Sequence, residues 1–113
     1  MHEAGIVQEM LVTAEHSARA AGCRVITRIV LRVGVFSSAV PEALAFAFEA
    51  LRPGTMAASA SLEFERVAAS AWCARCGREF AADDVILQCP HCGEISGELR
   101  RGFELDLLRL DAE

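Results

Sequence analysis

Two cysteine knuckles of identical spacing, Cys73-Ala74-Arg75-Cys76-Gly77 and Cys89-Pro90-His91-Cys92-Gly93, stand only 12 residues apart. No other feature so restricts what this chain can fold into. With two residues between paired cysteines the chain turns back and aims both sulfurs at one point, and a glycine after the second cysteine can take the positive φ that closes the turn. Two such knuckles read as four thiolate ligands to one tetrahedral ion, Zn²⁺ first, with each sulfur about 2.3 Å from the metal. The ion is expected to hold a hairpin-like module too small for a core of its own, because only the folded arrangement binds it. Its loss is expected to unfold roughly residues 70–100.

Around the knuckles there is room for one modest domain. The chain has 113 residues and is 53% hydrophobic, which suits a packed core rather than disorder. No apolar run approaches the ~18 residues of a membrane span, and Met1-His2-Glu3 lacks the basic start of a secretory signal. A cytoplasmic setting is expected. There thiols stay reduced, so five cysteines argue for ligation rather than disulfides. Cys23 is left over and reads as a small buried hydrophobe. The net charge of −5, made more negative by bound thiolates, offers nucleic acid no general attraction. Every basic residue is arginine, and Arg75, Arg78, Arg100 and Arg101 beside the knuckles are expected to offset thiolate charge.

The rest of the chain alternates helix and strand patterns. Val7, Met10, Leu11, Ala14, Ala18 and Ala21 recur at helical spacing and predict a helix over about 4–21, stopped by Gly22. Residues 25–35 predict the strongest strand, with Val25, Thr27, Ile29, Leu31, Val33 and Val35 on one face and Arg28 and Arg32 on the other. Ser37 and Ser38 offer capping hydroxyls and Pro41 suits a first turn, so a second helix carries Leu44, Ala47, Phe48 and Leu51 until Arg52-Pro53-Gly54. Residues 61–66 and 103–107 alternate as strands on either side of the knuckles. Those two strands can share a sheet only if the knuckles are an insertion. The expected fold is therefore α+β: two helices on a small mixed sheet of about three strands, residues 1–70 plus 101–113, with a four-cysteine zinc-ribbon module inserted at 71–100.

Rival readings attach to the same cysteines. A thioredoxin-like redox site wants its dithiol at a helix start, and Gly93-Glu94-Ile95-Ser96-Gly97 is poor helix material. Rubredoxin-type iron accepts the same four thiolates. A zinc-ribbon module for protein or nucleic-acid interaction would want a basic, aromatic face near the metal, whereas Trp72, Phe80, Phe46, Phe48, Phe64 and Phe103 read mostly as core. His91, inside the second knuckle, reads as a turn residue with an alternative role as an exchangeable ligand. His16 reads as solvated. No nucleophile paired with a base, phosphate-binding loop or catalytic carboxylate pair stands out, so no enzymatic activity is expected.

His2 has a position that a stray histidine lacks. Its imidazole, its backbone amide and the Met1 amine can lie in one plane, a nitrogen set that favours Ni²⁺ or Cu²⁺ over Zn²⁺, with Glu3 able to add an amide or carboxylate. Met1-His2-Glu3, Val33-Gly34, Pro41-Glu42-Ala43-Leu44, Phe46-Ala47-Phe48-Glu49 and Trp72-Cys73 with the knuckles together resemble the HypA/HybF family of hydrogenase-maturation nickel chaperones along the whole chain. The resemblance implies that His2, with the Met1 and Glu3 backbone nitrogens, holds Ni²⁺ as cargo and that Cys73, Cys76, Cys89 and Cys92 hold structural Zn²⁺. It implies delivery to the large subunit of a [NiFe] hydrogenase together with the GTPase HypB, and in some bacteria service to urease maturation proteins. Neither nucleic acid nor membrane is an expected partner. One departure is Val40, where family members often carry an acid before the proline; Glu42, otherwise a helix-dipole acid, is the candidate substitute.

Overall fold

The computed structural model describes residues 2–113. Helix α1 (Glu3–Ala20) is followed by β1 (Ile26–Gly34), α2 (Pro41–Leu51) and β2 (Ser61–Val67). The inserted strands β3 (Ser70–Cys73), β4 (Arg78–Ala81) and β5 (Leu99–Arg101) come next, and β6 (Leu105–Ala112) returns. β1 is the centre of a mixed sheet ordered β2-β1-β6, parallel to β2 and antiparallel to β6. A second, antiparallel sheet ordered β4-β3-β5 carries the knuckles. The helices-on-sheet architecture read from the sequence is what the chain adopts.

Helix α1 ends as its sequence dictates. Gly22 takes φ 78°, its N–H bonds Arg19 O, and the next N–H, of Cys23, bonds Ala18 O. This paired closure satisfies the last carbonyls of the helix. Cys23 then packs against the core edge, the small-hydrophobe role expected of it. Val7, Met10, Leu11, Ala14 and Ala18 face inward, while Ala21 lies past the end and is exposed. Leu44, Ala47 and Phe48 make the buried stripe of α2, and Phe48, 1% exposed, is among the largest fully buried side chains. Phe48→Ala is expected to cost about 3–5 kcal/mol in a denaturant titration, the range for emptying a packed aromatic site.

Three local expectations need correction. The buried face of β1 comprises Ile26, Ile29, Leu31 and Val33, whereas Val25, Thr27 and Val35 are exposed. An irregularity explains the change of phase: Ile26 opposes Ala112 and Arg28 opposes Asp111, so Thr27 is an extra residue in β1. Thr27 instead donates its hydroxyl to Asp111 O. The serine caps are not used either. Val40 is the N-cap of α2, with no side-chain cap bond, because Pro41 sets the first turn and leaves Ser37 and Ser38 too far upstream. Finally, Phe46 (80% exposed) and Phe103 (66%) lie at the surface rather than in the core.

The sheet face opposite the helices is sealed by ion pairs. Arg28 reaches both Glu63 and Asp111, and Arg32 makes a two-pronged bond to Asp106. Hydrogen bonding from Arg28 holds Glu63 below the usual carboxylate range. These pairs are solvent-exposed and set register more than stability. Where the inserted strands leave and return, the backbone is tightly sewn: Gly34 N–H bonds Glu104 O, Phe36 N–H bonds Gly102 O, and Val35 N–H bonds Val67 O.

Candidate metal centres

Both knuckles fold in the same way. Gly77 N–H bonds Cys73 O at 2.8 Å, and Gly93 N–H bonds Cys89 O at 2.9 Å. Gly77 and Gly93 take φ 66° and 76°, conformations that a side chain would penalise. Supports not evident from the spacing brace the second knuckle: Gln88 Nε2 donates to Gly93 O, Cys89 N–H bonds Glu94 O, and Gln88 bridges to Ile95. Ser96 Oγ donates to Trp72 O and ties the approach strand of the first knuckle to the loop after the second.

This folding brings all four predicted cysteines together. Their sulfurs lie within 4.8 Å of one another, with Cys73 to Cys92 at 3.6 Å and Cys76 to Cys89 at 3.9 Å. Sulfurs bound about 2.3 Å from a tetrahedral ion stand about 3.8 Å apart, so the donor set fits such an ion. Cys73 and Cys89 are buried and Cys76 and Cys92 less so. His91 is exposed and is no part of this cluster. His16 is likewise exposed.

Two of the four arginines beside the knuckles have other partners. Arg100 bonds Glu98 at 2.6 Å and stacks over Trp72 at 4.4 Å, and Arg101 pairs with Glu79. Nearby carboxylates meet their charge first.

Without an ion the thiols share protons unevenly. Cys89 is pulled down to about 7, first by the Cys92 amide and then by that of His91, against burial. Cys76 is pushed up to about 12, first by its hydrogen bonding with the Cys92 thiol. Cys92 is also raised: the Glu94 amide lowers it, but burial and the neighbouring thiols outweigh that effect. At neutral pH Cys76 and Cys92 therefore carry protons, which a bound ion must expel. The sign follows: binding weakens as pH falls. Between about pH 6 and 8, affinity measured against a competing chelator is expected to rise by at least about a hundredfold per pH unit, the slope for two displaced protons. A pH-independent affinity would mean that these thiols are not the ligands.

The other candidate site lies at the start of α1. His2 is exposed, and its carbonyl accepts the first helical bond, from Ile6 N–H. The Met1 part of that site lies outside the described residues. Glu3 is the first residue of α1. The His2 ring reaches across to Ser38, with Nε2 3.2 Å from Oγ, a contact that no sequence signal announces. Ser38 lies just past the end of β1 from which the inserted strands emerge, because Gly34 and Phe36 bond the returning chain there. Glu42 lies in the first turn of α2, and Val40, 49% exposed, offers no ligand.

Comparison with known proteins decides the family. Residues 1–112 match the model of the family described as "Hydrogenase/urease nickel incorporation, metallochaperone, hypA". The chain belongs to the HypA family. It is 38% identical over 111 residues to the hydrogenase maturation factor HypA of Picosynechococcus sp., covering 98% of both chains. It is 36% identical over 107 residues to the HypA of Rhizobium leguminosarum bv. viciae, covering 95% of each. The solution structure of HypA from Helicobacter pylori, described as a nickel metallochaperone, shares the fold with TM-score 0.71 at 24% identity, across 99% of this chain and 97% of that one. HypA proteins are maturation factors rather than enzymes. Among the described residues no helix is long and apolar enough to cross a membrane.

Proposed function

We propose that this HypA protein carries Ni²⁺ at its amino terminus and hands it over during [NiFe] hydrogenase maturation, acting in the cytoplasm. The cargo ligands are the His2 imidazole and amide, the Met1 amine, and a nitrogen of Glu3. Zn²⁺ held by Cys73, Cys76, Cys89 and Cys92 is structural, and it folds residues 71–100 as a unit within the domain of residues 1–70 plus 101–113. The partners are the GTPase HypB and the hydrogenase large subunit, with urease maturation proteins as a further destination. Nucleic acid and membranes are not partners.

The observation that carries this reading is the match to a nickel-incorporation family over residues 1–112. Chemistry supports the division of labour. A closed four-thiolate cage suits an ion that stays, and a shallow site of few nitrogen ligands suits one that leaves. The test is a nickel titration of zinc-loaded protein with its native, untagged terminus, beside His2→Ala. The parent is expected to bind about one Ni²⁺ and the variant none, with about one zinc per chain in both. A variant that binds nickel as the parent does would favour a zinc-ribbon interaction module instead.

A further inference from the structure

We propose that Ser38 is a positioning residue for the nickel site: its hydroxyl accepts the His2 Nε2–H and so presents Nδ1 to the metal. This rests on the reading of His2 as a nickel ligand. Ser38 Oγ and His2 Nε2 are 3.2 Å apart, although 36 positions separate the two residues. Ser38 has no part in capping α2, whose N-cap is Val40.

Chelate geometry decides which ring nitrogen matters. A metal held by the His2 amide nitrogen closes a small, unstrained ring through Cα, Cβ, Cγ and Nδ1, while Nε2 points away from that ring. A neutral imidazole carries its proton on one nitrogen and a lone pair on the other. The Ser38 hydroxyl can accept as well as donate, so when the metal takes the Nδ1 lone pair and the ring proton sits on Nε2, an acceptor for it is already in place. Metal-ligating histidines commonly donate their second N–H to a fixed partner that orients the ring. A hydroxyl orients the imidazole without the added basicity that a carboxylate confers, which suits a site that must release its ion. It also gives the terminus a fixed point on the folded domain, where α1 begins beside the loop leading into α2.

The test uses the full zinc-loaded chain with its native terminus, as parent, Ser38→Ala, Ser38→Thr and His2→Ala. Nickel affinity is measured by titration. The His2 tautomer and χ1 rotamer are read by NMR in mildly alkaline buffer before nickel is added. In the parent, a single Nε2–H tautomer and one dominant rotamer are expected. Ser38→Ala is expected to average both and to weaken nickel binding on the order of tenfold, with zinc content and thermal stability unchanged. Ser38→Thr, which keeps the hydroxyl, should restore all three readouts. If Ser38→Ala binds nickel like the parent while His2→Ala does not, the role of Ser38 is overturned and the nickel site stands. Weakened binding in both Ser38 variants with His2 still ordered overturns it too, because the loop rather than the hydroxyl then matters. If His2→Ala binds nickel like the parent, the nickel reading falls and the proposal falls with it.

Discussion

Stripping the thiolate-bound metal with a strong chelator is expected to unfold residues 71–100 and leave the helical domain folded. The reason is the composition of the two cores. The buried cluster of the inserted module is Ala71, Cys73, Phe80 and Cys89, with Leu87 and Cys92 packed on it, so half of its buried members are proposed ligands. Remove the ion and what remains is an alanine, a phenylalanine and facing thiols. A structural zinc contributes about 10–16 kcal/mol of apparent binding energy, which is folding energy when the unfolded chain has no site. The main cluster, by contrast, contains no residue between 71 and 100. Amide exchange after chelation should therefore collapse for residues 71–100 and stay slow for Ile29, Leu31, Leu44 and Phe48. Cys76→Ser, which alters one of the less buried ligands, should mimic the chelator. Global unfolding would mean that the two cores are one cooperative unit, and full retention of structure would mean that no ion holds the module.

The second large effect is expected at a residue with no side chain. A Cβ added to Gly34 would run into the Gly102 carbonyl and stand 2.7 Å from the Glu104 amide nitrogen. These are backbone atoms held by the Gly34 N–H to Glu104 O and Phe36 N–H to Gly102 O bonds, both 2.7 Å. Neither side can yield without breaking the seam where the inserted strands rejoin the sheet. Gly34→Ala is expected to cost about 3 kcal/mol or more, lowering Tm by about 12 °C or more. Gly5→Ala is the control, because nothing lies within 4 Å of the added methyl and alanine favours a helix interior by about 0.5–1 kcal/mol. Equal stability of the two variants would show that the close approach at Gly34 relaxes at no cost.

Local rules make the knuckles and both helices readable. The Cys-X-X-Cys spacing and its glycines fix the turn within a few residues, so the convergence of sulfurs from Cys73, Cys76, Cys89 and Cys92 follows from local geometry. Apolar periodicity and Gly22 set the body and end of α1 in the same way. What the sequence leaves illegible depends on residues distant along the chain. The extra residue at Thr27 inverts the facing of the start of β1, and it exists only relative to β6 across the sheet. Phe103 looks like core by composition, yet its place at the seam leaves it exposed against Phe36, ring centres 6.4 Å apart. Arg100 lies near the thiolates in sequence but finds Glu98 and Trp72 first. Ser38 reads as a helix cap from its neighbours alone, and its partner His2 belongs to the other helix start.

Nickel and zinc, on this account, occupy separate sites built from different atoms. The most direct measurement is the electronic absorption spectrum of zinc-loaded, native-terminus protein as one equivalent of Ni²⁺ is added, with released zinc assayed in the same sample. Nitrogen ligation at His2 is expected to give only weak ligand-field bands, no intense thiolate-to-nickel charge-transfer band, and no free zinc. An intense charge-transfer band that grows in step with zinc release would place nickel on Cys73, Cys76, Cys89 and Cys92, and would contradict the division into cargo and structural sites.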